Sequence, residues 1–345
     1  MGTAFCRCRF LLIALFFSHN IYVSAQVQQV PITQQGWTTE LSLGVDFLSN
    51  VLINPAVGAG KNRLGFGAAI DIRSIFNRGR FSWDTNFSLD YAIQKAGSGR
   101  LSDSLDTAVP FQKNMDNLWL NSNAAYRTSY FSKYYYAADL FFSSQLTKTY
   151  EDNFLSDVTQ TGHPISKFLS PAIFQFSLGF EHRPNDYWTI FLSPLSYKNI
   201  IVLDDQIADD FATDNAGEFL DGIHGNPLEV DENGDVIFQN YDNQLGTALR
   251  IVYENRLSNT FGMSSNLLLF SNYLEKADHI DINFRNQMDL TIVKGLKLSL
   301  LSLLTYDHDI LVQITDNSRP EGVNGLGRRV SYRQQLLLKY SFVLD

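Results

Sequence analysis

Beyond residue 8 this 345-residue chain has no cysteine; Cys6 and Cys8 are its two. A disulfide scaffold, a thiolate metal site and a cysteine nucleophile are therefore excluded downstream. Charge is scarce as well: Asp, Glu, Lys and Arg make up 18%, below the usual quarter. What charge there is leans acidic, 36 side chains against 27, and the net of −9 argues against a nucleic-acid partner. Past residue 25 no apolar run reaches the roughly 18 residues that a membrane-spanning helix needs. With 9 Pro and 4 Met set against 26 Phe, 16 Tyr and 4 Trp, the abundance lies in aromatic rings.

The first 25 residues read as an address. Arg7 and Arg9 precede the unbroken apolar run Phe10 to Phe17, and Val23-Ser24-Ala25 offers the small residues a signal peptidase requires. The pattern predicts a secretory signal over 1–25, cleaved before Gln26, a short periplasmic lead-in over 26–36, and one exported domain over 37–345. No cysteine follows the apolar run, which excludes lipoprotein processing. Losing Arg7 and Arg9 takes the net charge from −9 to −11.

The exported part alternates with period two. In Phe81 to Gln94 one face carries Phe81, Trp83, Thr85, Phe87, Leu89, Tyr91 and Ile93; the other carries Ser82, Asp84, Asn86, Ser88, Asp90, Ala92 and Gln94. Side chains on a strand point alternately to opposite faces, so such a segment is greasy on one side and wet on the other. The same reading holds for 37–47, 64–73, 133–145, 244–254, 280–290 and 329–342. It holds less cleanly near 116–127, 167–182, 187–203, 260–273 and 297–307, which makes about twelve strands. A soluble sandwich would use strands of about five or six residues. These run about ten to sixteen, the length that crosses a bilayer at a tilt, and aromatics gather near their ends. A sheet spanning lipid must also close, because an open edge would leave backbone groups unpaired in hydrocarbon.

The connections alternate in length. Tight turns near 76–80, 128–132, 183–186, 255–259 and 293–296 separate longer segments near 48–62, 96–115, 149–166, 204–240, 274–279 and 308–327. Bacterial barrels have short periplasmic turns and long extracellular loops. The fold class is therefore all-β: a transmembrane antiparallel up-and-down β-barrel of about twelve strands.

The wet face supplies the lumen candidates. Arg73, Arg127, Arg250, Arg285, Arg333 and Lys339 face Asp71, Asp84, Asp90, Asp139, Glu181 and Asp289 across a narrow interior. They either cross-link and plug the barrel or line a small pore for a polar solute. The segment 204–240 holds eleven acids and no Lys or Arg. Within it Asp231, Asn233 and Asp235 keep the 1-3-5 spacing of a calcium loop, with Asp242 at position 12. Val236 stands where such a loop needs Gly, and a solvated hairpin turning at Asn233-Gly234 is the plainer account. Catalytic patterns are thin. None of His163, His182, His224, His279 and His308 has the i, i+4 partner of a zinc helix, and no His-x-Ser triplet of an outer-membrane phospholipase occurs. His308, between Asp307 and Asp309 at a strand end, is either an acid/base pair or a solvated loop residue. No phosphate-binding loop or nucleophile elbow occurs, and nothing implies a cofactor.

Several segments resemble a family of uncharacterised outer-membrane proteins from Bacteroidota. They are Lys167 to Ala172 (KFLSPA), Phe191 to Lys198 (FLSPLSYK), Asn266 to Tyr273 (NLLLFSNY), Ile280 to Phe284 (IDINF), Leu304 to Asp309 (LTYDHD) and the final strand ending Tyr340-Ser341-Phe342. The resemblance implies a barrel and supplies no activity. The family's Trp-and-Gly-rich stretch after the first strand is here Asn54 to Gly60 without its Trp. Together these readings predict a barrel in the outer membrane of a Gram-negative bacterium, not an enzyme, partnered by outer-membrane lipid and the barrel-assembly machinery. Its expected role is a narrow channel for a small polar solute. The alternatives are a plugged structural or adhesive barrel presenting the acidic 204–240 loop, and then a membrane-embedded hydrolase.

Overall fold

In the computed structural model the alternating segments pair edge to edge until the last meets the first. The structure describes residues 35–46, 51–53, 65–95, 111–157, 162–213, 219–230, 232–234, 236–273, 277–315 and 323–344. The signal segment 1–25 and Asn54 to Gly60 lie outside them. The long strands are β1 (Gly36–Asp46), β2 (Gly65–Arg78), β3 (Phe81–Lys95), β4 (Phe111–Arg127), β5 (Tyr134–Ser144) and β6 (Ala172–Asn185). They continue with β7 (Trp188–Ile201), β8 (Tyr241–Arg256), β9 (Phe261–Asn272), β10 (Ile280–Val293), β11 (Leu296–Tyr306) and β12 (Ser331–Leu344). Each pairs antiparallel with its chain neighbours, and β12 closes on β1 from Thr39↔Leu344 to Val45↔Leu338. Where β1 stops short, Val51–Ile53 takes its place beside Tyr332 to Gln334. The result is a closed twelve-stranded barrel, up and down in order, with no free edge along that seam.

The wall is inside-out relative to a soluble domain. Trp37, Leu43, Val45, Phe66, Ile70, Ile72, Trp83, Phe176, Leu178, Phe180, Leu192 and Leu195 stand exposed on the outer face. An apolar surface of that extent is stable against lipid rather than water. A girdle of rings circles the end where the turns are short. Trp37 packs on Phe76 (5.0 Å between centroids) and Trp83 (5.6 Å), Tyr136 on Phe180 (5.8 Å), and Trp188 on Tyr253 (4.7 Å).

The two rims differ by construction. At the short-turn rim, Arg78↔Phe81, Asn185↔Trp188 and Val293↔Leu296 close two-residue hairpins. Gly295 takes a positive φ of 84° there, a conformation that side-chain-bearing residues rarely adopt. At the other rim the connections fold. The 204–240 segment forms a helical turn, Asp205–Ala208, and a hairpin, Leu228–Val230 with Val236–Phe238, whose turn contains Gly234 at φ 87°. The hairpin at Asn233-Gly234 is as the sequence pattern suggests.

Proline marks irregularity in two ways. Pro171 precedes β6 at a strand end, so that strand starts at Ala172 rather than near 167. Pro194 lies in the middle of β7, inside the wall rather than at a rim. The register shifts beside it on both sides, between Leu178 and Phe180 and between Gly246 and Ala248. Proline has no N–H for the ladder. Ser193 Oγ, 2.8 Å from the carbonyls of both Leu178 and Leu195, supplies a donor there. Gly246 makes room nearby: a Cβ on it would lie 1.9 Å from the Ser271 carbonyl.

Candidate functional site: the lumen and its mouth

Every lumen candidate sits on an inward register. Pairing places Asp71, Arg73, Asp84 and Asp90 on one continuous inner face of β2 and β3, opposite the outward Ile70, Ile72, Trp83 and Leu89. The charges meet across the interior as well as along the wall. Arg73 Nη2 donates to Asp84 Oδ2 (2.7 Å), and its Nη1 donates to Glu254 Oε2 (3.0 Å) on β8. In a ring of twelve, β2 and β8 are six strands apart either way, so this pair spans the full bore. Arg183 pairs with Glu181 (2.5 Å) and donates to Ser82 Oγ across from it (3.2 Å).

Deeper in, Arg250 of β8 binds Asp139 of β5 and donates to Asn121 Oδ1 of β4 (2.6 Å). With its amide turned to suit its neighbours, Asn123 donates to Glu181 (3.2 Å) and accepts from Arg250 (3.1 Å). Arg285 of β10 faces Asp71 (3.7 Å) and Asp90 (3.9 Å) over the Trp119 ring, and Lys339 donates to Asp71 (2.7 Å). Asp289 accepts from Gln287 Nε2 (2.9 Å), while Arg333 Nε has no hydrogen-bond partner among the described residues. Burial varies from pair to pair, and Glu181, toward the short turns, keeps only 1%. The side chains of Arg73, Asp84 and Glu254 near the short-turn rim keep 35%, 31% and 41% of their surface, whereas Arg250 and Asp139 keep 5%.

Two buried clusters were not among the lumen candidates, and a third, partly exposed group stands at the long-loop rim. Lys198 of β7 donates to Asp281 (2.8 Å) and Asp307 (2.6 Å) at the long-loop end. Lys113, nearly fully buried, donates to Asp116 (3.1 Å) and Gln145 Oε1 (2.6 Å). Lys198 lies past the shift at Pro194, which reverses the period-two count within β7, and Lys113 lies beside the shift opposite Ala92/Ile93, in a stretch the sequence pattern assigns to the 96–115 connection. The third is the mouth, where His279 and His308 stack with centroids 3.5 Å apart.

The acidic connection is partly neutralised from outside itself. Lys167 pairs with Asp204, which also caps the Asp205 turn through the Ile207 N–H, and these contacts hold its pKa below the ordinary value. His163 lies 3.1 Å from Asp210, whose pKa burial nevertheless raises. His224 is buried with Nε2 2.9 Å from the Ile165 carbonyl, and burial pushes its pKa down to about 4. Of the calcium candidates, Asn233 stands in the hairpin turn and Asp242 faces inward from β8, where it accepts from Gln244 (2.6 Å). Asp231 and Asp235 lie outside the described residues.

The model of a family described as a protein of unknown function (DUF3078) matches residues 48–150. That span precedes the segments at 167–342 on which the family resemblance was read. No curated protein matches the chain. Among solved structures, the chain is similar to an outer-membrane channel from Pseudomonas putida F1 at 11% identity, covering 89% of this chain and 96% of that one, with a TM-score of 0.38. It is also similar to the translocator domain of the autotransporter NalP from Neisseria meningitidis, at 8% identity, 90% and 91% coverage and a TM-score of 0.34. A third is the NanC porin, at 7% identity, 87% and 98% coverage and a TM-score of 0.35.

Proposed function

We propose that this barrel stands in the outer membrane of a Gram-negative bacterium, of the Bacteroidota on the sequence resemblance, as a narrow channel for a small polar solute. The state described here is closed by its own paired charges. One observation carries the reading: the inner face is built from Arg, Lys, Asp and Glu of both signs, paired across the bore from β2 to β8 and from β8 to β5. Such pairs are polar and exchangeable, so a charged or hydrogen-bonding solute can take the place of one partner without exposing apolar surface. The partly exposed Arg73 group beside the buried Arg250–Asp139 pair fits a vestibule leading to a constriction. Short turns then face the periplasm and long loops the outside, lipid covers the apolar band, and the barrel-assembly machinery inserts it. The reading assigns no catalytic step.

A second reading, a plugged barrel presenting its acidic 204–240 loop, is favoured by the deep burial of Asp90, Asp139 and Arg250. Single-channel recording on refolded barrel in a planar bilayer separates the two, with heat-modifiable gel mobility confirming the fold. The channel reading expects small, salt-dependent steps in the parent protein and larger ones in Arg250→Ala. Silence from both folded proteins would overturn it and leave the plugged barrel standing.

A further inference from the structure

The mouth of the barrel at the long-loop rim holds a cluster that the lumen reading does not use. His279 immediately precedes β10, and His308 with Asp309 follows β11. One donor atom from each of the three lies within 4.8 Å of the others, and His308 Nδ1 is already 3.7 Å from Asp309 Oδ1. From the geometry we infer that His279, His308 and Asp309 form a binding site for a divalent transition-metal ion of the zinc class, which clips the connection before β10 to the connection after β11.

Two imidazole nitrogens and one carboxylate suit Zn²⁺, Co²⁺, Ni²⁺ or Cu²⁺, whereas Ca²⁺ asks for six to eight oxygens. Three protein donors leave a coordination position for water or a passing solute, as open sites do. The bonds required are about 2.0–2.2 Å, so small side-chain rotations bring the three donors onto one ion.

The scaffold around the donors is fixed by groups that are not donors themselves. Gln244 Nε2 of β8 donates to Asp309 Oδ2 (3.0 Å), leaving Oδ1 turned toward His308. The His308 N–H donates to Asp281 Oδ1 (3.3 Å), and Arg328 Nε donates to the His308 carbonyl (2.7 Å), so the backbone carrying the donors is gripped from both sides. Asp281 and Asp307 are the nearby competing carboxylates, and Lys198 occupies both. Ordered outer partners of this kind orient metal ligands and raise affinity. The resulting ion sits where β8, β10 and β11 open onto the lumen, beside the Lys198 pairs.

The test is isothermal titration of ZnCl₂ into the complete exported chain, folded in detergent and carrying no polyhistidine tag. One ion per barrel is expected, with affinity falling at least about tenfold in His279→Gln and in His308→Gln, and about tenfold in the positioning variant Gln244→Ala. Co²⁺ should report the same site by visible absorption bands of nitrogen-and-oxygen coordination, absent from both His→Gln variants. Each variant is read only after heat-modifiable mobility shows it folded, and either histidine variant alone suffices. No heat with the parent barrel would overturn the site. So would zinc binding untouched by the histidine changes, or Ca²⁺ competing at equal concentration.

Discussion

At the short-turn end, Trp37, Phe76 and Trp83 stack outside the wall, and the lumen charges Arg73, Asp84 and Glu254 remain partly in water. At the long-loop end the outer wall gives way to folded connections, and beneath surface pairs such as Lys167 with Asp204 lie buried polar groups: Lys198 with Asp281 and Asp307, Lys113 with Asp116, and His224 under the acidic segment. The first end is held by rings at the membrane interface and by two-residue turns, both indifferent to pH and salt. The second depends on buried polar pairing, which fails when either partner is lost or its protonation changes. One barrel therefore carries a robust end and a switchable end, and the buried Arg250–Asp139 pair lies between them.

The largest way to break that contrast is at the buried Arg250–Asp139 pair. Arg250→Ala leaves Asp139 buried with the neutral amides of Asn121 and Asn123 beside it and no cation, and stripping one partner from a buried ion pair costs about 3–5 kcal/mol. Urea unfolding of the refolded barrel should show that loss as a lower midpoint at unchanged slope. An Arg250→Met, Asp139→Leu double variant should regain most of it, because no uncompensated charge remains. A single variant as stable as the parent would mean the deep lumen is wetter than described here.

The long-loop end is next, through pH. Burial lowers the folded-state pKa of His224 from 6.5 to about 4, so the opened segment takes up the proton before the folded one does. The stability this gives is complete above pH 6.5 and is lost as pH falls toward 4, about 3 kcal/mol of local order. Hydrogen exchange in the connections 162–171, 202–213 and 219–228 should quicken across that window while the girdle strands, β6 and β7 among them, stay protected. Equal quickening at both ends would erase the contrast.

Much of this fold was legible in advance, and the part that was not has a physical cause. Period two names the face of a residue without its partner, so Arg73 and Glu254 were both readable as inward, yet their meeting across six strands was not. Parity also fails wherever a residue is inserted. Pro194 reverses the count within β7 and hides Lys198, while Lys113 was hidden because the strand begins at Phe111, inside the stretch 96–115 that the pattern assigns to a connection. The 204–240 segment looked unneutralised because Lys167 and His163 come from a different connection. The two histidines of the mouth are 29 positions apart in the chain and meet only because β10 and β11 form a hairpin.

The wall between the ends offers a smaller test. Gly246→Ala pushes a methyl against the Ser271 carbonyl in a region already bent by Pro194, and β8 has to shift to accept it. Overpacking of this kind costs about 1–3 kcal/mol. A variant unfolding like the parent would mean that the bulge is soft, and that the two ends move independently of each other.

The smallest effect should come from the open end. Arg73 holds Asp84 and Glu254 at 2.7 and 3.0 Å, a geometry as good as any deeper pair, but about a third of its side chain stays in water. Water already compensates both partners there, so Arg73→Ala should cost no more than about 1 kcal/mol in the urea experiment that Arg250→Ala fails. In the planar bilayer the same substitution should shift ion selectivity toward cations, since Glu254 and Asp84 are left facing the interior without their cation. A stability loss equal to that of Arg250→Ala would show that distance across the bore, rather than burial, sets the strength of these pairs, and the distinction between a robust end and a switchable one would fall with it.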